Sequence, residues 1–318
     1  MLTHLATNQT LKQSDLICFV QPWLDALELR VQAQELKPDT AITYKRGVIK
    51  FLEWLAGKRP SADVIRAWKA DLLNNKIKPS SVNIWIAGLR SFFGWLAEIG
   101  EIPFDPTQAI KGASRKGTAK RHIRESLTDR EVIRLLEQPN RETREGVRDY
   151  AMLCIMLYTA ARGIELHRAD IEDLKTMDGA LVLNVQGKGH YEKDDFLVLS
   201  AEAENAVRYW LVLRGKESGA LFNSCSNYSK GARLSRRALR GMVKRYFEAA
   251  GIQGNKTTHS LRHTAITSAI RHNAPIQKVK GMSRHASIDT LMIYYHEADR
   301  LSDPAEKYIS YSKEQINV

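Results

Sequence analysis

Cysteine is scarce in this chain, with three in 318 residues. Cys18, Cys154 and Cys225 are odd in number and widely spaced, which argues against a disulfide framework or a thiolate metal site and fits packing residues in a reducing compartment. Long hydrophobic runs are missing too. No uncharged apolar stretch approaches the length of a membrane span, and residues 1–14 are polar rather than signal-like, so the expectation is a soluble, cytoplasmic protein with no membrane partner. Internal repeats and low-complexity tracts are absent. Acidic residues are in deficit, 36 Asp and Glu against 48 Lys and Arg, a net charge of +12. Such an excess points to a polyanionic partner, and without membrane features nucleic acid is the better choice.

What is present suffices for two folded domains, since 318 residues at 43% hydrophobic content exceed one ordinary core. Leu16, Phe19, Val20, Trp23, Leu24 and Leu27 recur at helical intervals over residues 15–31. A second helix follows Pro38, with Asp39 or Thr40 as its expected N-cap and Tyr44, Val48, Phe51, Leu52 and Leu55 on its apolar side. A third is expected over Ala62–Asn74 and a fourth from Ser80 to Ile99. Lys45, Arg46, Lys50, Ser81, Asn83 and Arg90 fall off the apolar faces, as candidate DNA contacts or simply solvated positions. Residues 1–110 thus read as an all-α DNA-binding domain.

Residues 111–125 carry Lys111, Arg115, Lys116, Lys120, Arg121 and Arg124 among small residues and almost nothing apolar. This reads as a basic linker along a duplex, with Lys120 and Arg121 as phosphate contacts. A second domain, 126–318, opens at a Thr128/Glu131 capping box. An apolar helix is expected over Arg148–Ala161, two strands over 180–199 around Gly187-Lys188-Gly189, and helices over Val207–Leu213, Leu239–Ala250 and Ser260–Arg271. The fold class is mainly α with a small antiparallel sheet. Residues 303–318 show weak helical spacing, suiting either a docking helix or a frayed tail.

The chemistry concentrates in Thr258–Arg300. His259 and Arg262 lie one helical turn apart, His285 follows, and Tyr294 comes nine residues later. Attack on a phosphodiester builds negative charge on the non-bridging oxygens, which two guanidinium groups answer with paired, always-protonated donors. Arg162 and Arg262 are the candidates, with a structural ion pair to Glu165 as the plainer role for Arg162. A deoxyribose oxygen leaves only if protonated, a task for Lys188 at a strand turn, although Gly-Lys-Gly alone is a weak signal. A tyrosine phenol ionises at a pKa of about 10, so a histidine and nearby cations would have to assist it. Adjacent helical residues point about 100° apart, so Tyr294 and Tyr295 cannot both face one phosphate, and spacing alone does not choose between them. His259 and His263 have zinc-ligand spacing, but they lack an intervening glutamate and enclose a cation. Asp170, Glu172 and Asp173 read as a solvated loop rather than as magnesium ligands.

Over residues 14–300 these features together resemble the tyrosine recombinases, or phage integrases, particularly the simple two-domain Xer-like members. The matching segments are Thr159-Ala160-Ala161-Arg162-Gly163-Ile164-Glu165-Leu166, the Gly-Lys-Gly at Lys188, and His259-Ser260-Leu261-Arg262-His263, followed by His285. The family's usual nine-residue spacing selects Tyr294 as nucleophile. There are two departures from the family pattern: Ala160 stands where glycine is usual, and Ser283-Arg284-His285 stands where Leu-Gly-His is usual.

The resemblance implies a C-shaped clamp of a helical core-binding domain and a catalytic domain around double-stranded DNA at a specific site. It also implies cleavage through a 3′-phosphotyrosyl link, exchange through a Holliday junction, and no metal or nucleotide cofactor. Four protomers, a homo-tetramer or a hetero-tetramer with a second recombinase, would act on two sites. Relaxation of supercoils by a type IB topoisomerase-like mechanism and a catalytically silent DNA-binding regulator are the competing functions.

Overall fold

The computed structural model describes residues 11–114, 126–187, 192–215, 217–285, 287–289, 291, 292 and 307. The chain divides into two compact units, 1–119 and 120–318. Its described residues are mainly helical with one small antiparallel sheet, the fold class expected from the sequence.

The first unit holds α1 (Gln13–Gln32), α2 (Pro38–Leu55), α3 (Ala62–Asn74) and α4 (Pro79–Glu98). Edge-to-face aromatic pairs form its core. Trp23 meets Phe92 at 5.3 Å, and Phe51 meets Trp68 at 5.2 Å and Phe93 at 6.1 Å. Each such pair adds about 0.5–1.5 kcal/mol beyond the area it buries. The expected caps of α2 are corrected: Lys37 is its N-cap and Pro38 opens the helix, with Asp39 in the first turn. Proline suits that position because its missing N–H would have no intrahelical partner there.

The expected linker also begins later than its composition suggested. Ala113 is buried in the first core, and the Asn83 side chain both donates to Ala113 O (3.1 Å) and accepts from Ala113 N (2.5 Å). Lys69 Nζ donates to the carbonyls of Lys111 and Gly112, and Arg90 to that of Ile110. A segment poor in apolar side chains is thus held through its backbone. Residues 115–125, with Lys120 and Arg121, lie outside the described residues.

In the second unit, α5 (Asp129–Glu137) opens on the expected capping box. Thr128 Oγ1 accepts from Glu131 N at 3.3 Å and Glu131 Oε2 from Thr128 N at 2.8 Å. The central apolar helix α6 runs Arg144–Thr159, four residues earlier than expected, because Thr143 caps it. It ends before Ala161 because Ala160 turns left-handed, with φ 54°. The short α7 (Gly163–Arg168) follows directly.

Strands β1 (Leu174–Met177), β2 (Ala180–Val185) and β3 (Asp195–Val198) form an antiparallel sheet in that order. Leu183 faces Leu197 across β2 and β3, and both are buried. The strand β1 was not expected: Leu-Lys-Thr-Met is too polar and too exposed to show a buried face. The charged segment before it is corrected as well. It is no solvated loop, since Lys193 Nζ pairs with Asp170 (2.9 Å) and Asp173, and Arg233 Nη2 with Asp170 (2.5 Å).

Four helices complete the unit: α8 (Ala201–Arg214), α9 (Arg236–Ala249), α10 (Thr258–Arg271) and α11 (Ile276–Ser283). Both α8 and α10 pack on α6. The possible C-terminal helix over 303–318 lies outside the described residues, apart from Lys307. No described helix is long and apolar enough to cross a membrane.

Candidate active site

The site is built where two helices end. The last turn of a helix exposes carbonyls at the negative end of its dipole, a natural seat for cations. Arg262, on the second turn of α10 and 1% exposed, donates from Nη1 to the Ala160 carbonyl at the end of α6 (2.6 Å). Its Nη2 donates to the Ser283 carbonyl at the end of α11 and lies 3.3 Å from His285 Nε2. These contacts set the guanidinium plane before any ligand arrives.

Arg162 caps α7. Its backbone N–H donates to Glu165 Oε2 (2.7 Å), its Nη1 to Glu165 Oε1 (2.6 Å) and its Nη2 to the Arg284 carbonyl (3.2 Å). The ion pair to Glu165 is therefore present, and Glu165 is 2% exposed. It does not remove Arg162 from the site, because a guanidinium has five N–H donors and this side chain keeps 19% of its surface open.

Burial first, and then the charges of Arg262, Arg162, His259 and Arg284, push the His285 imidazole down from 6.5 to about 4. It is neutral at physiological pH. Arg262 can only donate, which assigns His285 Nε2 as the acceptor and Nδ1–H as donor to Ser283 Oγ at 3.0 Å. His259 is exposed on the first turn of α10, its ring edge-to-face with His263 at 4.8 Å. Thus Arg162, Arg262 and His285 come together around the ends of α6 and α11, with His259 close enough to act on His285 electrostatically. Lys188 and Tyr294 lie outside the described residues.

A cleft of about 470 Å³ runs beside these groups, lined by Arg162, His259, Thr257, Thr258, Arg236 and Arg240. Its two guanidinium groups from α9 were missed in the sequence, where that helix was expected only from Leu239. The basic residues four apart in Ser-Arg-Arg-Ala-Leu-Arg were the available signal. In the first unit Lys45, Arg46, Lys50 and Arg90 are exposed, with Lys50 Nζ 5.4 Å from the centre of the Trp85 ring and Arg90 also bonded to Ile110 O.

The two departures from the family pattern share one geometry. Ala160 (φ 54°) and Arg284 (φ 55°) are both left-handed helix ends, where glycine is free of steric cost. This chain makes both left-handed turns without a glycine.

Comparison with known proteins agrees with this geometry. A model of the phage integrase family matches residues 125–300, and one of the phage integrase N-terminal SAM-like domain matches residues 20–100. Tyrosine recombinase XerD of Pseudomonas putida is 29% identical over 294 residues, covering 88% of this chain and 92% of the relative. A tyrosine recombinase of Synechocystis sp. is 27% identical over 278 residues, covering 81% and 86%. Among solved structures, XerH site-specific recombinase bound to its difH substrate before cleavage shares the fold, with a TM-score of 0.68, 18% identity and coverage of 98% and 100%. Lambda integrase bound to DNA does so with a TM-score of 0.63, 16% identity and coverage of 88% and 96%. The family model spans more than half of the chain, and the protein belongs to the phage integrase family, the tyrosine recombinases.

Proposed function

We propose that this protein is a site-specific DNA recombinase that cuts and rejoins strands through Tyr294. The observation that carries the reading is the convergence of Arg162, Arg262 and a neutral His285 on one position, each oriented by protein partners. Two fixed guanidinium groups offer donors to the non-bridging oxygens of a scissile phosphate, where negative charge grows in the five-coordinate transition state. His259 supplies hydrogen bonding at the same phosphate, and His285, whose one N–H is taken by Ser283, steadies Arg262 through Nε2.

In the proposed step the Tyr294 phenolic oxygen bonds to phosphorus, the bond to the 5′ oxygen breaks, and Lys188 gives the leaving oxygen its proton. The result is a 3′-phosphotyrosyl link and a free 5′-hydroxyl. Attack of a partner strand's 5′-hydroxyl reverses the step. The phosphodiester energy is conserved in the tyrosyl ester, so the reaction needs no nucleotide and no metal. The reading extends to double-stranded DNA with a specific site and to four protomers on two sites through a Holliday junction. A tetramer of lambda integrase bound to a Holliday junction is a solved relative of this fold. The exposed Lys45, Arg46, Lys50 and Arg90 of the first unit are its proposed contacts with the arms of the site, together with Lys120 and Arg121.

The test uses nicked duplexes prepared from the chromosome that carries the gene, on which a cleaving protein traps itself covalently. Wild type and Tyr295→Phe should form an adduct, and Tyr294→Phe should bind DNA without forming one. Loss of trapping in Tyr295→Phe alone would reassign the nucleophile. Relaxation of supercoiled DNA irrespective of sequence would favour a topoisomerase, and binding without any adduct a silent regulator.

A further inference from the structure

At the C-terminal cap of α11 an arginine, Arg284, accepts a left-handed backbone (φ 55°), and its side chain is 5% exposed. That side chain is not idle. Arg284 Nη2 donates to Glu165 Oε2 at 2.8 Å, Nη1 to the Met282 carbonyl at 2.6 Å, and Nε lies 3.8 Å from Asp195 Oδ2 on β3. Glu165 is the same carboxylate whose other oxygen takes Arg162 Nη1, and the Arg284 carbonyl accepts from Arg162 Nη2.

We propose that Arg284 is a positioning residue for strand cleavage, fixing the Arg162 guanidinium through the Glu165 carboxylate that the two arginines share. A glycine would supply the carbonyl but leave Glu165 to neutralise Arg162 alone. In the trio of Arg162, Glu165 and Arg284 each carboxylate oxygen takes one guanidinium, so Glu165 does not neutralise Arg162 alone. The tie to Asp195 joins this trio to the start of β3. Arg284 also belongs to the set of cations, with Arg262, Arg162 and His259, that act with burial, the largest cause, to hold His285 neutral.

The inference rests on the cleavage reading above, and its test keeps the two apart. The full-length wild type, Arg284→Gly and Arg284→Lys are compared in single-turnover adduct formation, on a nicked duplex carrying the sequence recovered in the wild-type adduct. Arg284→Gly should cleave about 10- to 100-fold more slowly, the scale of a misplaced catalytic group, with DNA affinity changed less than about threefold. Its acid limb should move to higher pH, since His285 loses a repelling cation. Arg284→Lys keeps the charge and can reach Glu165, so it should restore the wild-type acid limb and part of the rate. Wild-type rate and pH profile in Arg284→Gly overturn the proposal. So does a rate loss in both variants with the acid limb unmoved, which would make Arg284 only a structural prop. A wild type that forms no adduct sinks the cleavage reading, and this inference with it.

Discussion

His285 lies where burial and the surrounding arginines make its protonation costly, and this has a measurable consequence for stability. The unfolded imidazole takes its proton near 6.5 and the folded one only near 4. Between those values the unfolded chain binds the extra proton, so this group makes the protein less stable as pH falls from 6.5 towards 4. His285→Gln should remove that contribution. Urea unfolding at about pH 7.5 and about pH 5 should show wild type losing more stability on acidification than the variant. Equal losses would mean that His285 titrates normally in the fold. The residue also predicts a proton count. An inorganic sulfate, a dianion throughout this pH range, seated between Arg162 and Arg262 would offset their charge and raise the imidazole's affinity for protons, so binding near pH 5 should take up protons, measurable by calorimetry in two buffers of different ionisation heat.

Among the elements, the crossing of α2 and α4 depends on two glycines inside helices, where glycine is otherwise unfavourable. A Cβ on Gly88 would come within 2.8 Å of the Tyr44 carbonyl oxygen, and one on Gly47 within 2.8 Å of the Trp85 Cα. These close approaches are to backbone, which cannot swing aside. Gly88→Ala should therefore destabilise the first unit by about 1–3 kcal/mol, the usual cost of overpacking. Gly241→Ala on α9, where the added carbon meets nothing within 4 Å, should instead gain up to about 1 kcal/mol of helix propensity. Five of the six tryptophans (Trp23, Trp54, Trp68, Trp85 and Trp95) lie in the first unit, so thermal unfolding followed by fluorescence separates its response from that of the second. A stabilised Gly88→Ala would show that the helices are not packed backbone to backbone.

For the whole molecule the governing quantity is charge. A protein of net charge +12 that neutralises six to ten DNA phosphates should lose about 10³–10⁵ in affinity between about 50 and 200 mM salt, because binding releases condensed counterions. Fluorescence anisotropy across that range measures the slope, and a flat response would be incompatible with extensive phosphate contact. Charge accounts for attraction to DNA in general. Choice of a site requires contacts with base edges or with the shape of the duplex, which net charge does not supply.

The sequence by itself determined what depends on local pattern: the four helices of the first unit, the capping box at Thr128, the strands on either side of Lys188, and the order of chemical groups from Arg162 to Tyr294. Helical periodicity and capping are properties of neighbouring residues, and they survive without tertiary context. It did not determine features whose cause lies far along the chain. Residues 111–113 look like a linker until Asn83 and Lys69 are seen to hold their backbone, and β1 becomes a strand because β2 pairs with it. Asp170 and Asp173 both pair with Lys193, 23 and 20 residues away, and Asp170 also with Arg233, 63 residues away. In the site, the pattern named Arg162 and Arg262 but not the carbonyls of Ala160, Ser283 and Arg284 that aim them. Only the tertiary structure decided that Arg284 turns inward to share Glu165 with Arg162, because hydrogen-bond partners are chosen by proximity in space and not by spacing in sequence.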